Sequence, residues 1–436
     1  MEKFEFDNIS FNEDTRLLYE GQHVNGMDIS PEAFPLFMTT AFNMGNLDQV
    51  EHTYDTKGYT YIRTRNPNRK ALADVITYLE QGKDTLIFSS GMGAITTTYF
   101  ALFQPGDHMI CNSNIYRETF DAITSLVKNY GVTTDFVPFD DLEAVRAAVK
   151  PNTKMLYTEV ASNPTDRLCD IEELAKIAHG ANALLMVDNT FTTPICVKPL
   201  ALGADLVINS LTKFLNGHSD ALAGSVTVKD MALFEKIHTV RMLTGTSGCP
   251  FASWMIFRGI HTAALRIKKQ CENAAKLALA LAENPHVKTV NHPAIPTHPQ
   301  YALTEKLFES PYRATGMFSF EMPSDKEKIN QFMDRLHIAN YAPTLGGIRT
   351  TLSYPLLSSH MHVPEEDLKK MNISAGLMRV STGIEDAEDL IKDVTQALRR
   401  SVGLLATSVY SILVLGFTAA RTASRSSKGT KSVVTP

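Results

Sequence analysis

Short apolar runs alternate with helical hydrophobic periods between residues 61 and 255. The apolar runs predict β-strands at 85–88, 108–112, 155–159, 184–188, 205–209 and 223–228. Amphipathic periods between them predict helices at 93–102, 119–130, 142–149, 171–179 and 231–240. Because strands that alternate with helices form right-handed βαβ units, we predict an α/β fold. Its sheet is expected to be mainly parallel and covered by helices on both faces.

The pattern changes after residue 255. A long helical stretch covers 256–282, strand-like segments follow at 314–321 and 376–381, and helices are predicted at 325–335 and 387–398. This mixture is typical of a smaller α+β domain. We therefore predict an N-terminal arm at 1–60, a cofactor-binding domain at 61–255, a C-terminal α+β domain at 256–398 and an extra tail at 399–436.

Residues 402–420 in the tail form an uncharged and largely apolar run, preceded by Arg399 and Arg400 and followed by Arg421. The run approaches the roughly 20 residues that a membrane-spanning helix needs. Glycine, serine and threonine dilute it, which weakens the signal for membrane insertion. Two alternatives stay open: a C-terminal membrane anchor, or a packed helix or loosely ordered extension.

Composition narrows the function classes. The 436-residue chain has a formal net charge of −5 and no basic stripe, which argues against a nucleic-acid partner. Its five cysteines are scattered without a CxxC pair, which fits reduced thiols and gives no support for a metal site. The first 14 residues are acidic and lack the apolar core of a secretory signal, so we expect a cytoplasmic location.

Chemically unusual residues follow the ends of five predicted strands. In chain order they are Ser89-Ser90-Gly91-Met92, then Tyr116, then Asn163-Pro164, then Asp188, and finally Ser210, Thr212 and Lys213. Ligands of parallel sheets bind beyond the carboxyl ends of the strands. We therefore predict that these residues surround one ligand.

Lys213 and its neighbours predict the nature of that ligand. A lysine that follows a buried strand suits an imine with an aldehyde. Ser210 and Thr212, two residues apart on a chain predicted to be extended, point the same way, and their hydroxyls suit a phosphate. The turn at Gly91 and Met92 leads into a helix, whose first amides bind anions. Pyridoxal 5'-phosphate (PLP) combines both groups. The alternatives are a surface lysine in an ordinary turn and hydroxyls that cap a helix.

Three further residues fit this cofactor. Asp188 ends an apolar strand and would pair with a protonated pyridine nitrogen, unless it only caps the next turn. Tyr116 would stack on the ring and relay protons if nearby cations lower its pKa, unless it is a core tyrosine. Asn163 would bind the ring oxygen or a substrate carboxylate, unless Asn163-Pro164 only marks a turn.

Arg379 lies inside an apolar strand pattern, where an arginine needs an anionic partner. A bidentate grip on the carboxylate of an amino-acid substrate satisfies that need. The alternative is a salt bridge to Glu385 or Asp386. Tyr61 and Arg63 alternate on a segment predicted to be extended, and they form a candidate second phosphate clamp.

Taken together, these motifs resemble the Cys/Met-metabolism (trans-sulfuration) family of PLP-dependent enzymes. The family includes cystathionine γ-synthase, cystathionine γ-lyase, methionine γ-lyase and O-acetylhomoserine sulfhydrylase. The resemblance covers about residues 15–398, and its most specific parts are 187–191, 210–213 and 217–220. It implies fold type I of the aspartate-aminotransferase-like PLP-dependent transferases. It also implies a homotetramer built from two tight dimers.

The resemblance implies a role for each candidate. Lys213 would be the Schiff-base lysine and proton shuttle, and Tyr116 would stack on the ring and take part in catalysis. The other implied cofactor ligands are Gly91, Met92, Asp188, Ser210, Thr212 and Asn163, with Tyr61 and Arg63 reaching the phosphate of a neighbouring subunit. Arg379, Asn163 and Thr344 would contact the substrate.

The chain departs from the family at two places. Arg117-Glu118 follows Tyr116 where most members have Gly-Gly, and Arg349 stands where many members have glutamate. We hypothesise that Arg349 lies at the substrate mouth and favours an anionic substituent. The sequence thus predicts γ-replacement or γ-elimination on an amino acid derived from homoserine or homocysteine. β-Elimination on cystathionine or cysteine and a non-catalytic PLP-binding protein are the alternatives.

Overall fold

A computed structural model describes residues 11–22, 31–361 and 363–402. Apart from its first residue, the apolar segment 402–420 lies outside these ranges, so both alternatives for it stay predictions. Among the helices of the described ranges, none combines the length and the apolar character that crossing a bilayer requires.

The strands, numbered β1 to β12 in chain order, are Asp84–Phe88, His108–Asn112, Thr133–Val137, Thr153–Glu159, Leu184–Asp188, Leu206–Ser210, Gly224–Val228, Thr289–Asn291, Met317–Glu321, Asn340–Tyr341, Thr351–Ser353 and Leu377–Ser381. The helices, numbered α1 to α15, are Glu13–Leu17, Leu47–Asp55, Pro67–Glu80, Gly91–Leu102, Arg117–Ala122, Leu142–Ala147, Ile171–Gly180, Thr193–Cys196, Met231–Thr244, Pro250–Ile260, Ala263–Ala282, Tyr301–Leu307, Lys326–Asp334, Glu365–Lys370 and Ala387–Val402. A π-helical turn at Ile123–Val127 continues α5, and 3-10 turns cover Pro311–Arg313 and Pro355–Leu357.

The first sheet has the strand order β1-β7-β6-β5-β4-β2-β3 within the described residues. All of these strands except β7 run in the same direction, so the mainly parallel sheet is confirmed. Helices cover both of its faces through separate apolar clusters. Because the strands are parallel, the carboxyl ends of β1, β2, β4, β5 and β6 meet at one edge, as predicted.

The sequence pattern missed the edge strand β3. Its residues are half-buried or exposed, and the strand carries a charged side chain, Asp135. Asp135 pairs with Lys150 at 2.6 Å, and its carboxylate also lies 3.3 Å from His108. An edge strand has only one protected side and needs less apolar character, so it left no hydrophobic run to detect.

The second sheet has the order β10-β11-β12-β9-β8 within the described residues. Its pairs are antiparallel except for β10 with β11. Helices α11, α13 and α15 contribute to an apolar core against β9 and β12. Both sheets fall in the two predicted domains, while the domain boundaries themselves stay predictions.

The single helical stretch predicted at 256–282 was wrong, because the structure has two helices, α10 and α11, that break at His261 and Thr262. The break frees the carbonyl of Gly259, which accepts a bond of 2.9 Å from the buried Arg266 guanidinium. Arg266 also donates to the carbonyls of Phe214 and Leu215, at 2.9 and 3.1 Å. Hydrophobic periodicity does not reveal this break, because the polar contacts of Arg266 stabilise it.

The turn after β6 is held from the side of the second sheet as well. Gly346 has a φ of +79°, and a Cβ added there would lie 2.4 Å from the amide nitrogen of Phe214 and 2.8 Å from the carbonyl carbon of Lys213. Only glycine permits this backbone conformation together with such a close approach. The backbone of Lys213 is therefore fixed between Arg266 and Gly346.

Candidate active site

A cavity of about 380 Å³ lies at the carboxyl edge of the first sheet, beside the second sheet. It brings together most of the predicted site residues, namely Gly91, Met92, Tyr116, Asn163, Asp188, Ser210, Thr212, Lys213, Thr344 and Arg379. The carboxyl ends of the parallel strands therefore bring these residues together, as the sequence predicted.

One end of the cavity is built for an anion. Ser90 caps α4 through a bond of 2.9 Å from the Gly93 amide, which leaves the amides of Gly91 and Met92 without an intrahelical acceptor. Gly91 lies close to the end of β6, since an added Cβ would be 3.1 Å from Ser210 Cβ. Free amides at a helix N-terminus attract phosphate through both hydrogen bonds and the helix dipole.

The prediction that Ser210 and Thr212 lie on one extended chain was wrong. β6 ends at Ser210, and residues 211–216 form turns. The Thr212 hydroxyl exchanges hydrogen bonds of 3.2 Å with the backbone of Ala223, which orients it at the cavity wall. The turn, and not the two-residue period of a strand, therefore brings both hydroxyls to the cavity wall.

Two carboxyl groups stand side by side at the sheet edge. Glu159 ends β4 and Asp188 ends β5, and the two residues are direct partners in the sheet register. Burial raises the pKa of Glu159 to about 8, and the neighbouring charge of Asp188 adds to this effect. Burial also raises the pKa of Asp188, although Thr190 donates an amide bond of 2.9 Å to its carboxylate.

This pair bears on the two readings of Asp188. The Thr190 amide donates to the Asp188 carboxylate, so Asp188 does cap the next turn, as the alternative predicted. Asp188 also faces the cavity, and no side-chain cation in the described part of the chain pairs with it. A buried carboxylate without a cation favours a ligand that brings a positive charge.

Tyr116 has a less acidic phenol than the sequence suggested. Burial, the negative charge of Glu118 and a hydrogen bond to the Glu118 carboxylate all raise the Tyr116 pKa, while Arg379 lowers it by less. The condition set for a proton relay, a pKa lowered by nearby cations, is therefore not met. The Tyr116 amide donates a bond of 2.5 Å to Glu159, which fixes the backbone that carries the phenol.

Lys213 is half-buried at the cavity wall. Burial lowers its pKa, the positive charge of Arg379 lowers it further, and Glu118 opposes both effects. A lysine with a lowered pKa has more of the neutral amine that attacks an aldehyde. The structure therefore gives Lys213 the environment of a nucleophile, which a surface lysine would lack.

Arg379 on β12 is 5% exposed and aims its guanidinium into the cavity. It donates to Asn163 Oδ1 at 3.2 Å and to the Thr344 carbonyl at 3.3 Å. The alternative salt bridge was wrong, because Glu385 binds Thr350 and Asp386 caps α15. No carboxylate of the described residues pairs with Arg379, whose pKa burial lowers to about 10.

Three predicted residues do not line the cavity of their own chain. Tyr61 forms an isolated β-bridge with Ala41, and Arg63 lies in the turn that follows. The prediction of one extended segment that carries both was therefore wrong, and the Arg63 guanidinium donates to the Met242 carbonyl at 2.8 Å. Arg349 is exposed and is absent from the cavity wall. The hypothesis that Arg349 lies at the substrate mouth therefore stays a prediction.

Two ionisable residues of the cavity wall were not selected as site residues from the sequence. Glu159 follows the same strand-end rule as Asp188 and could have been found with it. Glu118 was noticed only as a departure from the family pattern, and the structure places it in the cavity wall beside Tyr116. Its position depends on how α5 begins, which the sequence does not specify.

Comparison with known proteins decides the class of the molecule. The family model for Cys/Met metabolism PLP-dependent enzymes matches residues 14–399. The chain belongs to this family. It is an enzyme, its cofactor is PLP, and a small amino-acid substrate fits the family.

Individual members of the family resemble the chain over most of its length. It is 38% identical to a cystathionine gamma-lyase of Bacillus subtilis, over 84% of this chain and 93% of that protein. It is 36% identical to a cystathionine beta-lyase of Coxiella burnetii, over 88% of this chain and 97% of that protein. The crystal structure of a cystathionine gamma synthase from Xanthomonas oryzae superposes with a TM-score of 0.83 at 30% identity, covering 90% and 99% of the two chains. Fold type I is thereby confirmed.

The cavity fits PLP in its donor chemistry. The free amides of Gly91 and Met92 suit the phosphate, and the buried Asp188 lacks a cation that a protonated ring nitrogen would supply. Lys213 lines the same cavity with an amine whose pKa is lowered. These groups are complementary to the two charged ends and the aldehyde of the cofactor.

Proposed function

We propose that the enzyme catalyses γ-elimination or γ-replacement on an amino acid derived from homoserine or homocysteine. One observation carries the proposal: the Lys213 amine, the Tyr116 phenol and the Arg379 guanidinium line a single cavity. These are a base, an acid and a carboxylate anchor. The chemistry needs all three. The base removes a proton from the substrate, the acid protonates the leaving group, and the anchor holds the α-carboxylate of the substrate.

When bound, PLP withdraws electrons from the substrate and stabilises the charge left by a lost proton. Lys213 is the base in this proposal. Its lowered pKa leaves a larger neutral fraction at neutral pH, which is the form that accepts a proton from the substrate α-carbon. The fixed backbone around Gly346 and Arg266 holds the amine over one face of the substrate.

Tyr116 is the acid in this proposal. Because its pKa is raised, its phenol keeps the proton near neutral pH and donates it to the departing γ-substituent. Glu118 accepts from the same phenol and holds its orientation.

Arg379 fixes the substrate by its carboxylate. The guanidinium is positioned by Asn163 and Thr344, so its fork is oriented before any ligand arrives. A planar fork that is already desolvated binds a carboxylate through two charge-assisted bonds. Asn163 lies between this fork and the sheet edge, where its amide also borders the space for the cofactor.

β-Elimination on cystathionine or cysteine is the second candidate. It uses the same base and the same carboxylate anchor, and the similarity to the Coxiella burnetii cystathionine beta-lyase favours keeping it. The two reactions differ in their products: γ-elimination yields 2-oxobutyrate and β-elimination of cystathionine yields pyruvate.

Product analysis tests the proposal. The holoenzyme is incubated with O-acetylhomoserine, O-succinylhomoserine, cystathionine, methionine or homocysteine, with and without a thiol. We expect 2-oxobutyrate or a thioether product with at least one of them. Pyruvate alone would replace γ-chemistry by β-elimination, and an unchanged panel would refute both.

We further propose a homotetramer in which neighbouring subunits share each site. Tyr61 is exposed and Arg63 does not line its own cavity, which supports a role toward a partner's phosphate. Mixing Arg63→Ala chains with Lys213→Ala chains tests the sharing, because hybrid dimers would contain one intact site. Recovered activity supports it, and no recovery in verified hybrids contradicts it.

The free thiols of the described chain agree with the predicted cytoplasmic location.

A further inference from the structure

Of the three acidic side chains in the cavity wall, Glu118 is the one that accepts no backbone hydrogen bond in the described residues. Glu159 accepts the amide of Tyr116, and Asp188 accepts the amide of Thr190. Glu118 is exposed at the cavity wall and forms no ion pair with any residue that the structure describes. Its neighbour Arg117 instead pairs with Asp121 at 2.8 Å and does not line the cavity.

The position of Glu118 relates it to one part of the substrate. Under the proposed function, Arg379 holds the α-carboxylate and Tyr116 protonates the γ-substituent. Glu118 lines the same part of the cavity as Tyr116, whose pKa its negative charge raises, and so borders the space for the distal end of the substrate. The cations of the cavity wall, Lys213 and Arg379, are engaged at the α-carbon end. The distal end thus meets the negative charge of Glu118, which raises the pKa of Lys213 but forms no ion pair with a residue that the structure describes.

We propose that Glu118 makes the enzyme prefer amino acids whose distal substituent is cationic, such as a second ammonium group, over those with an anionic one. This inference rests on the proposed function. An ammonium group gains an ion pair with Glu118, whereas a succinyl or phosphoryl group is repelled at short range. This preference for a cationic substituent is opposite to the preference for an anionic one that the sequence suggested for Arg349. Arg349 is exposed and does not belong to the cavity wall.

Three unreactive amino acids of similar length test this preference. L-Lysine, L-norleucine and L-2-aminoadipate carry a cationic, a neutral and an anionic distal end, and none has a leaving group on its γ-carbon. Their dissociation constants for the holoenzyme are measured by calorimetry or by the change in cofactor absorbance. We expect lysine to bind more tightly than norleucine, and 2-aminoadipate more weakly, by about three- to tenfold on each side for a partly solvated charge.

Glu118→Gln keeps the shape and removes the charge, so it should bring all three constants within about twofold of one another. Asp121→Asn is the matched control, because it removes one negative charge from the same helix outside the cavity wall. Its order of affinities should match the unchanged protein. An unchanged lysine preference in Glu118→Gln, or an equal effect in Asp121→Asn, would overturn the inference alone. If none of the three ligands binds, the proposed amino-acid site fails, and the inference fails with it.

Discussion

Glu80 offers a quantitative test of the energetics behind the site. It ends α3, is fully buried, and its Oε1 accepts from Asn189 Nδ2 at 3.1 Å and Asn209 Nδ2 at 2.7 Å. Its other oxygen has no protein partner. Asn189 and Asn209 are next to Asp188 and Ser210 in the chain. Glu80 therefore links the carboxyl ends of β5 and β6 by hydrogen bonds. Burial raises the Glu80 pKa from 4.5 to about 7, although both amide bonds lower it.

The raised pKa means that the folded protein retains a proton that the unfolded chain releases. The resulting loss of stability is absent below pH 4.5, grows between pH 4.5 and about 7, and is complete above that. Linkage with these two values gives a cost of about 1 kcal/mol at pH 5.5 and about 3 kcal/mol at pH 8.5.

Glu80→Gln removes this titration and keeps the acceptor for the two asparagines. We expect the free energy of unfolding of the variant, relative to the unchanged protein, to rise by about 2 kcal/mol between pH 5.5 and 8.5. Urea unfolding with saturating PLP measures it through Trp254, the single tryptophan of the chain. Glu283→Gln, an exposed carboxylate, is the control. A difference below about 0.5 kcal/mol would show that Glu80 is not held neutral by burial.

Three further predictions concern the site itself. Lys213→Ala should lose turnover and the visible absorbance of bound PLP, and a fully active variant would end the Schiff-base assignment. Arg379→Lys keeps the charge and loses the fork, so kcat/KM should fall by about 30-fold while PLP affinity stays within twofold. A fall below threefold would argue against a bidentate grip. Gly346→Ala forces a Cβ to within 2.4 Å of the Phe214 amide, so thermal unfolding should show a loss of about 2 kcal/mol or more; unchanged stability would contradict the tight contact.

Local rules predicted much of the fold and of the site. Buried strands leave long apolar runs, and β2 and β5 matched their predicted bounds. The residues after those runs had to meet because parallel strands end at one edge, which is why Asp188, Tyr116 and Lys213 were found together. Arg379 was found because a charge in an apolar strand demands a partner.

What the sequence could not supply depends on contacts between distant residues. The break before α11 rests on Arg266, and the place of Gly346 rests on the Lys213 turn. The pKa of Tyr116 depends on whether Glu118 or Arg379 acts on it more strongly, and spacing along the chain does not determine that. The proposed role of Arg63 toward the phosphate of a neighbouring subunit likewise depends on an assembly.

The register of β4 with β5 has a consequence for how the enzyme acquires its cofactor. Two carboxyl groups are direct neighbours there, and burial raises the pKa of both. A positive charge on the ring nitrogen of PLP would offset the repulsion between them if both were ionised. Binding of the cofactor and ionisation of this pair would therefore be linked, so the affinity of the protein for PLP would depend on pH through Glu159 as well as Asp188.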